Sequence, residues 1–162
     1  MGRVFIRYAL PRDADRLVAD AVISGNTPTG EPWPQRIQKW LSEQQAGRRL
    51  ILVAEDASGL LGTVQLVFRF PAGYADPEAA NGMDIAMIEA LRTRADAPSA
   101  VATQLITDVQ NIAKKRNIRT ITFLLPLGDT RSITQAKSWG FQEFRIMPEP
   151  GRMLAFFRKS IE

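Results

Sequence analysis

Hydrophobic and polar positions recur with two different periods along this chain, and the periods divide it into strands and helices. Val4 to Ala9 alternate at every second position, which predicts a strand, and Asp13 to Ile23 follow as the first predicted helix. Ser24 to Pro34 are rich in glycine and proline, which predicts a loop. Trp33 to Gln45 place apolar residues at helical spacing, so a second helix is expected there.

The middle of the chain contains longer apolar runs. Arg49 to Asp56 and Leu60 to Phe70 are separated by Ala57-Ser58-Gly59, which predicts a hairpin, and a second breaker-rich loop follows from Pro71 to Gly82. Met83 to Thr93 are apolar on both alternations, as in a strand that is buried on both faces of a sheet.

The last third of the chain predicts a crossover followed by a short helix and two strands. Ser99 to Arg116 form an amphipathic helix pattern and Arg119 to Leu125 a strand pattern, so strand, helix and strand together favour a right-handed parallel crossover. The remaining predicted elements are a helix from Thr130 to Trp139 and strands from Phe141 to Met147 and from Met153 to Lys159.

Composition limits the possible chemistry. The 162 residues, 45% of them hydrophobic, suit a single globular domain over residues 1–162. The chain has no cysteine and no histidine, which excludes disulfides, thiolate ligands and histidine-dependent triads, and no metal site is expected. The net charge of +4 suits an anionic ligand, a nucleic acid or an anionic surface without choosing among them. The amino terminus resembles neither a signal peptide nor a membrane span, so a cytoplasmic protein is expected.

Three short segments resemble the GNAT acetyltransferase superfamily, as does the order of predicted elements over nearly the whole chain. Ile88 to Thr93 is similar to the family's fourth strand, Thr103 to Ile106 to its long helix, and Trp139-Gly140-Phe141 to its terminal glycine-phenylalanine pair. The resemblance implies an α/β (α+β) fold, with a mixed, mostly antiparallel twisted sheet of six to seven strands flanked by about four helices.

The resemblance also implies a site for acetyl-coenzyme A between the fourth strand and the long helix. In the family, an arginine or glutamine and two glycines lie there, and backbone N–H groups at the helix start bind the pyrophosphate. Here alanine occupies the basic position and both glycine positions within Ala97 to Thr103, so an ordinary helix start is the alternative interpretation. Arg92 or Arg94 can supply the missing charge. The cofactor contacts implied are Leu91, Arg92, Thr93, Ser99, Ala100, Val101, Ala102 and Thr103.

Glu89 is the candidate catalytic residue. It shares the alternation of Met87 and Leu91, which places a carboxylate among apolar side chains in a central strand. In the resemblance this position lies near the acyl group, where a carboxylate can act as general base toward an amine. The alternative is a structural ion pair with Arg69 or Arg92.

The family's second catalytic element, a tyrosine before the glycine-phenylalanine pair, has no counterpart here. Its position holds Ala136, and the tyrosines of the chain are Tyr8 and Tyr74. Asp129 and Ser132 fall where the family contacts the cofactor, although Asp129 after a glycine is also an ordinary helix cap.

The function implied is transfer of an acetyl group from acetyl-coenzyme A to a primary amine of a small molecule or peptide, by a protein that can form a homodimer. The acidic residues that could attract a cationic amine are Glu31, Asp76, Glu78 and Asp84. The alternative is a non-catalytic GNAT-like domain that binds a ligand or a protein. Nucleic-acid binding is less favoured, because the basic cluster Lys114 to Arg116 is explained by a helix carboxyl terminus.

Overall fold

A computed structural model describes residues 3–69, 76–149 and 151–161. These residues form seven strands and four helices. In chain order the elements are β1 (Phe5–Tyr8), α1 (Asp13–Ala19), α2 (Trp33–Gln45), β2 (Arg49–Asp56), β3 (Gly59–Val67), β4 (Ile85–Thr93), α3 (Ala100–Lys115), β5 (Thr120–Pro126), α4 (Thr130–Ser138), β6 (Gln142–Glu149) and β7 (Arg152–Ser160).

The strands form one sheet in the order β1-β2-β3-β4-β5-β7-β6. Strand β4 is parallel to β5, whereas β1 with β2, β5 with β7 and β6 with β7 are antiparallel. The parallel pair flanks α3 in the chain, as the strand-helix-strand pattern predicted. The expected mixed, mostly antiparallel sheet with four helices is therefore confirmed.

The described residues divide into two compact units. The first contains those up to Leu66 together with Ala90–Val109, and the second those from Val67 to Glu89 and from Gln110 onward. The single-domain expectation over residues 1–162 stays a prediction.

The first unit buries its apolar residues around α1 and α2. Its core includes Leu17, Ile23 and Ile37, with the rings of Trp33 and Trp40 packed against it. Both indole rings are half-buried, and their centroids are 6.0 Å apart. The apolar positions that predicted these helices therefore form one continuous cluster.

Helix α1 is shorter than its apolar pattern predicted. It ends at Ala19, and Ala21 takes a left-handed φ of 58°. The N–H groups of Val22 and Ile23 both donate to the carbonyl oxygen of Leu17 at 3.0 Å. The prediction that the helix reaches Ile23 is therefore wrong. A non-helical turn, and not a continuation of α1, buries these apolar residues.

The second unit has its own core, which includes Val67, Met87 and Phe156. The ring of Phe123 packs edge-on against that of Phe141 at 5.8 Å, so the phenylalanine of the predicted glycine-phenylalanine pair is a core residue. Gly140 follows α4 with a φ of 93°, a left-handed conformation that is typical of the residue after a helix.

The other predicted elements agree with the observed bounds to within a few residues. Strand β4 begins at Ile85 rather than Met83, and the side chain of Met83 is 77% exposed. Strand β3 ends at Val67, and Phe70, the predicted end, lies outside the described residues, as does the part of the second loop from residue 71 to 75.

Candidate functional site

Strand β4 contains a break in its extended backbone at Ala90. Its ladder with β5 runs from Ile85, paired with Thr120, to Ile88, paired with Phe123. Ala90 then adopts a left-handed φ of 52°, which costs an L-residue roughly 1–2 kcal/mol. Such outliers are typical of functional positions. The alternation that grouped Glu89 with Leu91 assumes an extended backbone, and Ala90, which lies between them, departs from that conformation.

Glu89 lies immediately before this break. Its side chain is half-buried, whereas Met87, two residues earlier in the strand, is 5% exposed. The carboxylate is thus less enclosed than the apolar pattern predicted. Its role as general base stays a prediction.

The start of α3 keeps a regular backbone despite its alanines. No residue of Ala97 to Thr103 has a positive φ, and the N–H of Val101 donates to the carbonyl oxygen of Pro98 at 3.0 Å. A glycine is therefore not needed for the backbone conformation at Ala100 or Ala102. An alanine there can hinder a ligand only by the bulk of its methyl group.

The residues expected to contact a cofactor in this segment differ in exposure. Ser99, Ala100 and Thr103 are exposed, whereas Val101 and Ala102 are buried at 2% and 6%. The two buried residues can contact a ligand only through their backbone. On β4, Leu91 is half-buried and Arg92 and Thr93 are exposed.

Gly62 marks a close approach of β3, the end of β4 and α3 within the first unit. A Cβ placed at Gly62 would lie 3.1 Å from the carbonyl oxygen of Arg92, 3.1 Å from Cδ1 of Leu105 and 3.2 Å from Cγ2 of Thr93. The end of β4 and the first turns of α3, which hold most of the expected cofactor contacts, are therefore packed together. The sequence signal for this close approach is an isolated glycine inside a strand, and the alternation of apolar residues does not reveal it.

The two arginines near this segment contact the protein itself. The guanidinium of Arg92 lies over the ring of Trp33, 5.7 Å from its centroid. Arg94 forms an ion pair with Asp96 at 2.6 Å and donates to Oγ of Ser58 at 3.0 Å. Arg94 thus ties the segment after β4 to the turn between β2 and β3.

The residues near the start of α4 have structural partners. Oδ1 of Asp129 accepts a hydrogen bond from the N–H of Ser132 at 3.1 Å, so Asp129 is the helix cap that the sequence allowed as an alternative. Ala136, at the position of the family's tyrosine, is fully buried. Tyr74 lies outside the described residues.

The acidic loop residues also have partners within their own units. Glu31 forms an ion pair with Arg36 at 3.0 Å, and hydrogen bonds from Thr29 and Arg36 lower the pKa of Glu31 to about 2. Arg145 pairs with both Asp76 and Glu78 at 3.3 Å.

The fourth acid, Asp84, accepts a hydrogen bond from Nδ2 of Asn81 at 2.7 Å. Local partners therefore account for all four carboxylates without a cationic substrate.

Among the described residues, no helix is both long and apolar enough to cross a membrane. No group of three or more acidic, histidine or cysteine side chains is placed to hold a metal ion in the same residues.

Several solved structures that resemble this chain are described as acetyltransferases. The chain is similar to an N-acetyltransferase from Staphylococcus aureus Mu50 at 20% identity and a TM-score of 0.77, with 99% of each chain covered. It is similar to a GNAT-family structure from Desulfovibrio desulfuricans at 14% identity and a TM-score of 0.76, over 99% of this chain and 100% of the other. A Salmonella typhimurium structure with its cofactor acetyl-CoA has 16% identity and a TM-score of 0.73, over 98% and 94%.

No protein-family model matches the chain, and no curated protein matches its sequence. The likeness to the solved structures confirms the resemblance at the level of the GNAT fold.

Proposed function

We propose that this chain is an N-acetyltransferase, which transfers an acetyl group from acetyl-coenzyme A to a primary amine of a small molecule or peptide. The observation that carries the proposal is the regular backbone at the start of α3. There Ala100 and Ala102 replace glycines without a positive φ, so the N–H groups of the first turn remain suited to an anion. The likeness to acetyltransferase structures supports the same function.

Residues of the first unit would hold acetyl-coenzyme A. The exposed Ser99, Ala100 and Thr103 would lie against the pyrophosphate, with the N–H of Ala102 beside them. The N–H of Val101 already donates to the carbonyl oxygen of Pro98, so Val101 would support this turn rather than bind the anion through its N–H. The end of β4, at Leu91, Arg92 and Thr93, would contact the pantetheine and acyl part. The close packing around Gly62 supports this grouping, because it fixes the end of β4 against α3.

Glu89 is the proposed general base. When bound, acetyl-coenzyme A supplies the thioester whose carbonyl carbon receives the amine nitrogen, and the carbon–sulfur bond breaks. Glu89 would accept the proton that the nitrogen loses. Since Ala136 replaces the family's tyrosine, the departing sulfur would take its proton from solvent. Catalysis would thus depend mainly on orientation, which contributes roughly 7–11 kcal/mol when well arranged.

A second candidate function is a GNAT-like domain without catalysis, which binds a ligand or a protein. The specific observation in its favour is the full burial of Ala136, which leaves no side chain at that position able to protonate a thiolate. Asp129, bonded to the N–H of Ser132, also has a structural role that is independent of a cofactor.

Thermal unfolding with and without acetyl-coenzyme A distinguishes the two. At about 100 times its dissociation constant, the ligand should stabilise the fold by roughly 2.7 kcal/mol. Release of coenzyme A is then followed with a thiol reagent, while a diamine, an α-amino acid and a lysine peptide are offered in turn. The protein contributes no background because it has no cysteine. Stabilisation with thiol release supports the enzyme. No stabilisation at millimolar acetyl-coenzyme A would support the non-catalytic domain.

A further inference from the structure

A cavity of about 680 Å³ lies in the second unit, at the end of α3. This volume is within the range of roughly 300–1,000 Å³ that small-molecule sites occupy. Neither Glu89 nor any residue proposed to hold acetyl-coenzyme A is among its described lining residues. The residues that define this α3-end cavity are Met83, Asp84, Lys114, Ile118, Arg119 and Ile161.

The apolar lining of the α3-end cavity is part of the folded core. Ile118 and Ile161 are 5% and 3% exposed. The backbone beside them is paired internally, since the N–H of Ile161 donates to the carbonyl oxygen of Arg119 at 2.9 Å, and the N–H of Arg119 to that of Asp84 at 2.8 Å. Polar recognition of a ligand would therefore depend on side chains rather than on these backbone groups.

Met83 adds an exposed apolar side chain to the cavity, and its backbone is well ordered. The N–H groups of Met83, Asp84 and Ile85 all donate to Oδ1 of Asn81 at 2.9 Å. Because the turn is already fixed by these bonds, an apolar ligand that packs against Met83 would have little backbone to order on binding.

The cavity lining contains more positive charge than the dipole of helix α3 accounts for. Lys114 and Lys115 both lie in the last turn of α3, where cations offset the helix dipole. Arg119 lies beyond the helix, next to β5, so the dipole does not account for it. The carboxylate in the lining, that of Asp84, accepts a hydrogen bond from Nδ2 of Asn81. The cavity lining thus contains two exposed cations and one carboxylate, and that carboxylate already has a partner.

We propose that the α3-end cavity binds a small amphiphile with one carboxylate on an apolar body, of the class of medium-chain fatty acids. The carboxylate pairs with Lys114 and Arg119. The apolar body packs against Met83, Ile118 and Ile161. This site is separate from the proposed acetyl transfer, and its test uses no acetyl-coenzyme A.

Methionine methyl resonances provide a local readout of binding. The full chain is labelled with ¹³C-methyl methionine and titrated with decanoate below its micelle concentration, and the Met83 resonance is identified with Met83→Leu. The Met83 resonance should shift and saturate. Met153, which is 46% exposed in the same unit, should not shift. Decyltrimethylammonium, which has the same chain and the opposite charge, should not saturate the site.

Two neighbouring lysines supply a matched pair of variants. Lys114→Gln and Lys115→Gln remove the same charge from the same helix end, but only Lys114 is among the described lining residues. Lys114→Gln and Arg119→Gln should each weaken decanoate binding about fivefold, as expected for a partly exposed charge contact. Lys115→Gln should leave it within about twofold. Equal effects of the two lysine variants, equal shifts of Met83 and Met153, or no saturable shift would each overturn the proposal.

Discussion

Arg7 holds the carboxylate of Asp13 with both terminal nitrogens of its guanidinium. Nη1 lies 2.7 Å from Oδ2 and Nη2 lies 3.0 Å from Oδ1, and the side chain of Asp13 is 0% exposed. Oδ2 also accepts a hydrogen bond from the N–H of Leu10 at 2.7 Å. The start of α1 is therefore fixed to β1 by a buried, two-pronged ion pair.

Asp13→Asn should lower the free energy of unfolding by about 1–3 kcal/mol, because it removes the charged acceptor of two guanidinium hydrogen bonds, although Nε of Arg7 keeps its ion pair with Glu55 at 2.8 Å. Asp15→Asn is the matched control, since Asp15 lies in the same first turn of α1 and is exposed. It should cost no more than about 0.5 kcal/mol. Urea unfolding at pH 7 measures both, and equal losses would show that the ion pair contributes nothing beyond the helix dipole.

The same ion pair predicts a pH dependence of stability. Burial acts to raise the pKa of Asp13, but the hydrogen bonds from Arg7 and Leu10 and the charges of Arg7 and Arg16 outweigh burial and leave this pKa below its usual value. A lowered pKa stabilises the fold above the pKa of the unfolded chain, about 4, and this contribution is lost as pH falls through the folded pKa. The stability difference between the wild type and Asp13→Asn should therefore shrink below about pH 4. A difference that stays constant down to pH 2 would contradict this assignment.

Gly62→Ala should destabilise the first unit by about 1–3 kcal/mol, because the new methyl group would press on backbone as well as on Leu105. Gly128→Ala is the control: a Cβ there meets nothing within 4 Å and the φ is not positive. Its effect should stay within about 0.5 kcal/mol. Thermal unfolding compares them, and a neutral Gly62→Ala would mean that β4 can move away from β3 without cost.

Ala90→Gly should raise the free energy of unfolding by up to about 1 kcal/mol, because glycine adopts a φ of 52° without the penalty of a Cβ. Ala86→Gly removes the same methyl group from an ordinary, fully buried position of β4 and should instead lower stability by about 1 kcal/mol. Chemical unfolding of the two variants checks the sign. If Ala90→Gly were as destabilising as Ala86→Gly, the left-handed backbone at Ala90 would carry no strain.

Glu89→Gln tests the proposed general base. If the chain transfers acetyl groups, turnover should fall by about 10²–10⁴-fold, whereas the affinity for acetyl-coenzyme A, measured by thermal shift, should change by less than about twofold. Turnover equal to the wild type would remove Glu89 from the mechanism.

The local pattern of apolar residues, prolines and glycines was enough to predict most of the secondary structure. Helix α2 has the predicted bounds from Trp33 to Gln45, because its apolar spacing, the proline near its start and the glycine after its end all act within a few residues. The parallel strand pair was also predictable, since a strand, an amphipathic helix and a strand have few ways to pack. The resemblance to the GNAT fold rested on the same local segments.

The candidate site was predictable only in part. The sequence pointed to Glu89 and to the start of α3, and it identified the missing tyrosine at Ala136. It gave no sign of the left-handed Ala90, because alanine has no preference for that conformation. The α3-end cavity was likewise not predictable, since its residues come from three separate segments of the chain.

The sequence by itself determined the order and type of the elements and the absence of cysteine and histidine chemistry. Only the tertiary structure decided which charged side chains are buried and which backbone positions are forced into a left-handed conformation. Asp13 looked like an ordinary acid at a helix start, yet its side chain is fully buried and paired with Arg7. The physical reason is range: periodicity and caps act within one or two turns of chain, whereas burial and strain depend on contacts between residues that are distant in sequence.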